Sequence, residues 1–474
     1  MRRADDLSVL IFLFTLAATF FVSFLGRAHA RKLNSNALAD QKLSKWLVGL
    51  SAGATGNSAF IVTGAVGLGY TLGMPSLLLP FGWLFGDIAF WTFFPDKINR
   101  LGAETKAATL TDVIVSGLAP SMRRRIKLLA GTLILLCLTG YICGQWIAGQ
   151  KFLEGAFGFS HLLSLVLFAA LIVLYTGIGG FRGSVYADTL QAVIRIFGTS
   201  LALAAVIFVA TRHPAAFWQN TAQASPTFFN LMPHGVLAAT IFMSGFAAAA
   251  FGFGLGQPQM TSRYLAGRSP RETRSAWWIF IGFIQFTWIA MTMFGIVLRG
   301  IMPAIADPEA GLSLFFRTDM GPILTGLIVA DIFATIAATS NSLLVAMAQT
   351  VKFDLIAMVT RRGPPLWPIV LVLGIASMAI SAKLDRSVVT LVLSSISLLG
   401  AALAPAVMIR VLGWRRTGGS VIAAIIIGFI TAALWKFFGL GAVLNEAAPG
   451  IAAGLAGNFV AVAALRREGT ALAE

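Results

Sequence analysis

The sequence is poor in charged residues, cysteine and histidine. Only 11% of its 474 residues are charged, and it contains two cysteines and four histidines. No cysteine or histidine cluster has the spacing of a zinc site, and no Gly-Lys-Ser or Gly-Lys-Thr phosphate loop occurs. Cys137 and Cys143 lie in one predicted helix, where about 9 Å of rise prevents a disulfide between them. These absences exclude a zinc enzyme and ATP hydrolysis at a phosphate loop.

Long hydrophobic runs take the place of charge. Hydrophobic residues make up 57% of the chain, a larger share than is typical of soluble globular proteins. A membrane-spanning helix needs about 20 consecutive, mostly apolar residues. We therefore predict an all-α membrane protein with thirteen transmembrane helices. The thirteen runs begin near residues 7, 46, 76, 126, 162, 184, 235, 275, 321, 366, 387, 419 and 449.

The basic residues predict how these helices are oriented. The formal net charge is +16, and with an outside N-terminus 25 of the 35 lysines and arginines fall in cytoplasmic loops. Such an excess is typical of the cytoplasmic face of membrane proteins. The pattern predicts an outside N-terminus and an inside C-terminus. The positive net charge is then explained by the orientation of the protein in a lipid bilayer, and no nucleic-acid partner is expected.

Glycine-rich stretches interrupt two of the predicted helices. Residues 50–58 lie in the second span and residues 245–258 in the seventh, five helices apart, in a chain with 48 glycines. Close helix packing also uses glycine. Broken helices in corresponding positions indicate an inverted repeat of five helices, in which exposed backbone groups bind an ion or a solute at the membrane midplane.

Asp188 and Arg195 are charged residues inside the sixth span. A charge at that depth costs at least about 2.5 kcal/mol and is usually kept for an ion or substrate path. Asp188, Gln191, Arg195 and Thr199 share one helical stripe. The stripe fits either a structural ion pair of Asp188 with Arg195 or a neighbour, or a cation ligand with a partner that tunes it.

Two more aspartates lie in predicted spans. Asp331 in the ninth span could pair with Arg195 or lie hydrated near the outer end of its helix. Asp87 in the third span has no evident partner, so that packing and a role in proton or ion conduction both remain open. Asp331, Arg195 and Asp87 are thus candidate proton carriers or members of a buried ion pair.

Four segments, at residues 50–54, 174–191, 256–264 and 340–355, resemble the sodium:solute symporter family. The resemblance extends from about residue 7 to 465, and the proline-transporting branch is the most similar. It implies a LeuT-like core with discontinuous helices and a five-plus-five inverted repeat. In this single membrane domain we assign residues 46–211 and 235–412 to the two repeats, residues 7–26 to a peripheral helix and residues 419–465 to two more.

The resemblance also implies a main sodium site between the broken second span and the ninth. Its donors would be backbone oxygens of Ala54, Asn57 and Ala334. Family members usually add two adjacent hydroxyls, where this sequence has Ala337 and Ala338. A second cation position would use Asp188, Ser340 and Asn341, whose oxygens are present.

The implied solute site departs from the proline pattern. Tyr141 matches an aromatic lining residue, but Gly56 replaces an aspartate, and Ala250 and Gly254 replace two aromatic residues. A solute of another shape is therefore expected, and Arg195, if it faced the site, would favour a carboxylate. The predicted solute-binding residues are Thr55, Gly56, Ser58, Tyr141, Ala250, Gly254 and Gln257.

These patterns predict a transporter of the bacterial inner membrane and no enzyme. The main hypothesis is a symporter that uses sodium to import a small organic solute, such as an amino acid or a carboxylate, by alternating access. No cofactor beyond the coupling ion is expected. One alternative is proton coupling through Asp188 or Asp331, and another is a sensor that binds solute without transporting it.

Overall fold

The computed structural model describes residues 2–32, 42–356, 364–384 and 387–471. Within those ranges the chain is helical and contains no β-strand. The α-helices are α1 (Arg2–Lys32), α2 (Lys45–Gly56), α3 (Ala65–Leu72), α4 (Leu78–Phe93), α5 (Pro95–Thr105), α6 (Leu110–Val115), α7 (Pro120–Phe157), α8 (His161–Arg212), α9 (Pro214–Ala224), α10 (Gly235–Gly256), α11 (Pro258–Ala266), α12 (Pro270–Ser275), α13 (Trp277–Ile301), α14 (Gly311–Asp319), α15 (Pro322–Gln349), α16 (Leu366–Ser381), α17 (Val388–Val411), α18 (Gly418–Phe437) and α19 (Ala447–Ala471).

Ten helical segments of the described chain are long and apolar enough to cross a membrane. Three shorter apolar segments, Phe60–Leu72, His161–Gly177 and Leu366–Ser381, coincide with three further predicted spans. The predicted all-α membrane architecture is confirmed. The count of thirteen transmembrane helices and their orientation stay predictions.

The second predicted span is broken at Asn57. Helix α2 ends at Gly56, and Asn57 has φ −84° and ψ 65°, outside the helical region. The chain then resumes as a π-helical segment, Phe60–Gly64, which continues into α3. The interruption predicted from the glycine-rich residues 50–58 is therefore present.

The seventh predicted span is broken at Gln257. This residue has φ −97° and ψ 116° between α10 and α11. Pro258 follows as the first residue of α11, and proline has no N–H with which to continue the hydrogen bonds of α10. Both broken helices are thus found where the sequence predicted them.

A glycine divides the long helix α8. Gly180 has φ +61° and ψ −169°, a conformation that glycine adopts without the strain that a side chain would bring. The preceding half corresponds to the fifth predicted span and the following half, which contains Asp188 and Arg195, to the sixth.

Small residues bring α10 against α17. A Cβ on Gly252 would lie 3.2 Å from Gly400 Cα, so the two backbones pack with no side chain between them. Helix α10 also packs on α4, while α15 packs on α8 and α1. These contacts place the two broken helices beside α8, α15 and α17.

Candidate functional site

A narrow chamber adjoins the break in the second span. Gly56 and Ser58 line it together with Tyr141 of α7. The space left is about 20 Å³, enough for about one water molecule. No charged residue is among its lining residues, most of which are aromatic or aliphatic: Phe60, Ile61, Trp83, Phe253, Phe280, Ile284, Trp288, Val392, Leu393 and Ile396.

The other predicted solute residues are not among those that line this chamber. Gln257 donates from Nε2 to the carbonyl of Ile396, a lining residue, at 3.2 Å. Ala250 and Gly254 pack against α4, since Ala250 Cβ lies 2.6 Å from where a Cβ on Gly86 would stand, and a Cβ on Gly254 would meet the ring of Phe90. Their part in the solute site stays a prediction.

The carbonyl end of α2 faces α15. Thr339 Oγ1 donates to the Thr55 carbonyl at 2.9 Å and lies 3.5 Å from the Ala54 carbonyl. Ala337 and Ala338 are fully buried methyl-bearing residues of the same helix. Thr339 therefore brings a hydroxyl to the carbonyls where the family's two hydroxyls are missing, and it was not predicted from the sequence.

Asn57 connects the same break to α13. Its side-chain Nδ2 donates to Thr287 Oγ1, and its backbone N–H donates to the Gly53 carbonyl at 2.8 Å. Ala334 is fully buried in α15, and its role as a sodium ligand stays a prediction. The elements that carry Ala54, Asn57 and Ala334 are thus neighbours, as α2 packs on α15.

Asp188 forms an ion pair with Arg263 of α11. Arg263 Nη2 donates to Asp188 Oδ2 at 2.9 Å, and both side chains are almost completely buried. Ser51 Oγ donates to the same carboxylate oxygen at 2.8 Å. The alternative in which Asp188 pairs with Arg195 is wrong, because an arginine from another helix, 75 positions away, reaches the carboxylate instead.

The predicted partners of Asp188 in α15 have separate contacts. Asn341 Nδ2 donates to Ser184 Oγ at 2.8 Å, one helical turn from Asp188. Ser340 Oγ donates to the Ile336 carbonyl of its own helix at 2.7 Å. The structure thus brings Asn341 to the Asp188 region and satisfies the Ser340 hydroxyl within α15.

Arg195 pairs with Asp331. Nη1 of Arg195 lies 2.6 Å from Oδ2 of Asp331, and Asp331 is completely buried. Of the two alternatives that the sequence left open for Asp331, the structure has the pair with Arg195 and not a hydrated side chain. Arg195 is not among the residues that line the chamber, so it gives no support to a carboxylate solute.

Asp87 has no basic partner among the described residues. It is 2% exposed in α4. The side chain of Trp83, one helical turn earlier, hydrogen-bonds its carboxyl, and Trp83 also lines the chamber. Asp87 is therefore an ionisable group behind the chamber wall, without the arginine that accompanies Asp188 and Asp331.

Two of the residues that contact Asp188 lie in the family-like segments 50–54 and 256–264, but no role for them followed from the sequence. Arg263 follows the break at Gln257, and Ser51 precedes the break at Asn57. The position of Arg263 close to a broken helix was the one feature of the sequence that indicated a role in the site. Its partner could not be deduced, because that partner lies on a helix distant in sequence.

The chain matches the sodium:solute symporter family over residues 37–428. It belongs to this family. The osmoregulated proline transporter OpuE of Bacillus subtilis is 26% identical over 434 residues, which cover 86% of this chain and 84% of the relative. The sodium/proline symporter of Escherichia coli is 26% identical over 462 residues, covering 93% and 89%. The chain is therefore a multi-pass, sodium-coupled solute transporter rather than an enzyme.

Solved structures show the same fold. A sodium-coupled sialic acid symporter in a substrate-bound, outward-open state superposes with a TM-score of 0.78 at 19% identity, covering 96% of this chain and 97% of that one. Mhp1, a nucleobase-cation-symport-1 family transporter, gives 0.55 at 13% identity, covering 91% and 94%. The predicted LeuT-like fold class is confirmed.

Proposed function

We propose that the protein imports a small organic solute across the bacterial inner membrane by sodium-coupled alternating access. The observation that carries this proposal is the chamber beside the break in α2, whose exposed carbonyls face α15. Broken helices provide ion and solute sites at the membrane midplane in transporters of this architecture. The two proline transporters that the chain resembles come from Bacillus subtilis and Escherichia coli, which supports the bacterial inner membrane as the location.

The coupling sodium binds between α2 and α15 in this proposal. Backbone oxygens of Ala54, Asn57 and Ala334 contribute, and Thr339 supplies the hydroxyl that Ala337 and Ala338 lack. Hard cations are bound by several oxygen ligands, and carbonyl and hydroxyl oxygens meet that need. Thr339 Oγ1 lies 3.5 Å from the Ala54 carbonyl and 2.9 Å from the Thr55 carbonyl, which brings its hydroxyl to the carbonyl end of α2.

The solute binds in the aromatic chamber. Its apolar body contacts Tyr141 and neighbouring rings, while its polar groups meet Ser58 and the backbone at the break. Pockets of this type combine apolar walls with a few placed polar groups. The chamber has room for about one water molecule in this conformation, so it must widen to admit an amino acid or a small carboxylate. The bound sodium would then lie close to the carboxylate group of the solute.

The two repeats that surround this site are residues 46–211 and 235–412 in our proposal. Each contributes one broken helix, α2 with its continuation and α10 with α11. Residues 7–26 and 419–465 then lie outside the repeats as peripheral helices. Movement of one repeat-derived bundle against the other would expose the chamber to each side in turn.

Proton coupling is a second candidate because Asp87 lacks a basic partner within the described chain. A buried carboxyl without a counter-charge suits a group that gains and loses a proton. Asp188 and Asp331 each form an ion pair with an arginine, which makes them less suited to binding and releasing a proton. A sensor that binds without transport remains the third hypothesis.

A thermal-unfolding screen tests the solute and the ion together. Purified protein is heated with a panel of amino acids and short carboxylates, in sodium chloride or in choline chloride of equal ionic strength. Binding to the folded state raises the apparent stability. We expect one class of solute to raise the unfolding temperature only with sodium. Equal shifts in both salts would contradict sodium coupling.

A further inference from the structure

Arg263 has its charged group deep inside the membrane domain. Its guanidinium donates to Asp188 Oδ2 at 2.9 Å and to Ser342 Oγ at 2.6 Å. It also donates to Ser51 Oγ at 3.2 Å and Ser184 Oγ at 3.3 Å. One arginine of α11 thereby contacts α2, α8 and α15.

The acceptors of Arg263 include Asp188, the carboxylate of the predicted second cation position, together with three hydroxyls other than that of Ser340. One carboxylate and three hydroxyls form a set of hard oxygen ligands, which bind metal cations such as sodium. The guanidinium already supplies a positive charge to that carboxylate. A sodium ion in the same place would compete for these oxygens and lie close to a like charge in a low-dielectric interior.

We propose that Arg263 is a tethered cation that takes the place of a second sodium ion beside Asp188. The transporter then couples a single sodium ion, bound between α2 and α15, to each solute. This inference rests on the proposed sodium symport and specifies its stoichiometry.

Arg195 provides the matched comparison. It is as deeply buried as Arg263 and pairs with a buried aspartate. Its Nε and Nη2 atoms have no hydrogen-bond partner within the described residues, and the nearby Thr199 hydroxyl has none either. Arg195 thus forms an ion pair and donates to no hydroxyl in the described part of the chain, whereas Arg263 donates to three hydroxyls as well as to its aspartate.

The stoichiometry is measured as the final solute accumulation in proteoliposomes held at zero membrane potential. The solute is the one identified by the thermal screen. With one coupled sodium, a tenfold sodium gradient supports about tenfold accumulation, and with two it supports about a hundredfold. We expect the wild type to follow the first relation. Arg263→Gln is expected to follow the second, because a sodium ion can then take the vacated position, while Arg195→Gln keeps the first.

Two results would overturn the role of Arg263. One is a wild type that accumulates solute with the square of the sodium gradient, and the other is an active Arg263→Gln protein that remains linear. If Arg263→Gln does not fold, Arg263→Lys retains a tethered charge and is expected to remain linear; a squared dependence in that variant would also overturn the proposal. Absence of any sodium-driven accumulation by the wild type would instead reject the proposed symport.

Discussion

Arg195 Nη1 lies 2.6 Å from Asp331 Oδ2 and joins α8 to α15 in the interior of the membrane domain. Helix α8 also carries Asp188, which joins it to α11 through Arg263. The two pairs lie about two helical turns apart along α8. One helix therefore carries an acidic member of one buried pair and the basic member of the other.

Removing one member of the Arg195 pair should destabilise the fold. Asp331→Asn leaves a buried guanidinium without its counter-charge, which costs about 3–5 kcal/mol in folded proteins. Denaturant unfolding in detergent measures this loss. The double variant Arg195→Met, Asp331→Leu removes both charges and should recover most of the stability; a double variant less stable than Asp331→Asn would contradict a simple ion pair.

Asp87→Asn should behave differently from Asp331→Asn. No basic residue of the described chain pairs with Asp87, so the substitution leaves no cation unpaired. We expect a change in unfolding free energy within about 1 kcal/mol, the size of a typical single hydrogen bond. A loss as large as that of Asp331→Asn, measured in the same detergent, would show that Asp87 has a charged partner.

Asp188→Asn should abolish sodium-coupled uptake and, like Asp331→Asn, lower the stability of the fold, because it leaves the buried Arg263 guanidinium without its counter-charge. Asparagine retains the size of the side chain and an oxygen for Arg263, but loses the negative charge beside α2. Uptake of the screened solute is measured in proteoliposomes, with size-exclusion chromatography as the control for folding. Normal sodium-dependent uptake by this variant would refute the role of Asp188.

Thr339→Val should weaken sodium binding and Thr339→Ser should not. Valine has nearly the same shape but removes the hydroxyl that lies against the Thr55 carbonyl. Loss of about 1.4 kcal/mol raises the sodium concentration for half-maximal stabilisation about tenfold. The sodium dependence of the unfolding temperature measures it. Equal sodium dependence of the two variants would remove Thr339 from the site.

Gly56→Val should block the solute without removing the sodium response. A Cβ on Gly56 would lie 3.4 Å from Ile284 Cδ1 and 3.6 Å from Phe253 Cε1, so the methyl groups of valine would fill the narrow chamber. Solute-induced stabilisation should disappear. Gly282→Val is the control, since a Cβ there meets nothing within 4 Å. Solute binding retained in Gly56→Val would place the solute elsewhere.

Hydropathy and glycine content predicted the helices and both breaks because these features depend on local sequence. The break at Gln257 follows from the adjacent proline, and the break at Asn57 from a cluster of small residues. The pairing of Arg195 with Asp331 was one of two alternatives for Asp331, because the predicted spans contain few charged residues that could pair with each other.

The environment of Asp188 could not be predicted in the same way. Helical periodicity suggested Arg195, which lies on the same stripe, whereas the actual partner depends on how α11 packs against α8. Thr339 was not predicted for a related reason. The family's two hydroxyls match Ala337 and Ala338, and the sequence does not show that the next residue, Thr339, faces the carbonyl end of α2. Tertiary packing decides both contacts.

Accumulation of solute by proteoliposomes under a sodium gradient, with no proton gradient, tests the central claim most directly. Sodium-coupled symport predicts that the internal solute concentration rises above the external one and falls when the sodium gradient is dissipated. No accumulation under sodium, followed by accumulation under an inward proton gradient, would contradict sodium coupling. Binding without accumulation under either gradient would contradict transport itself.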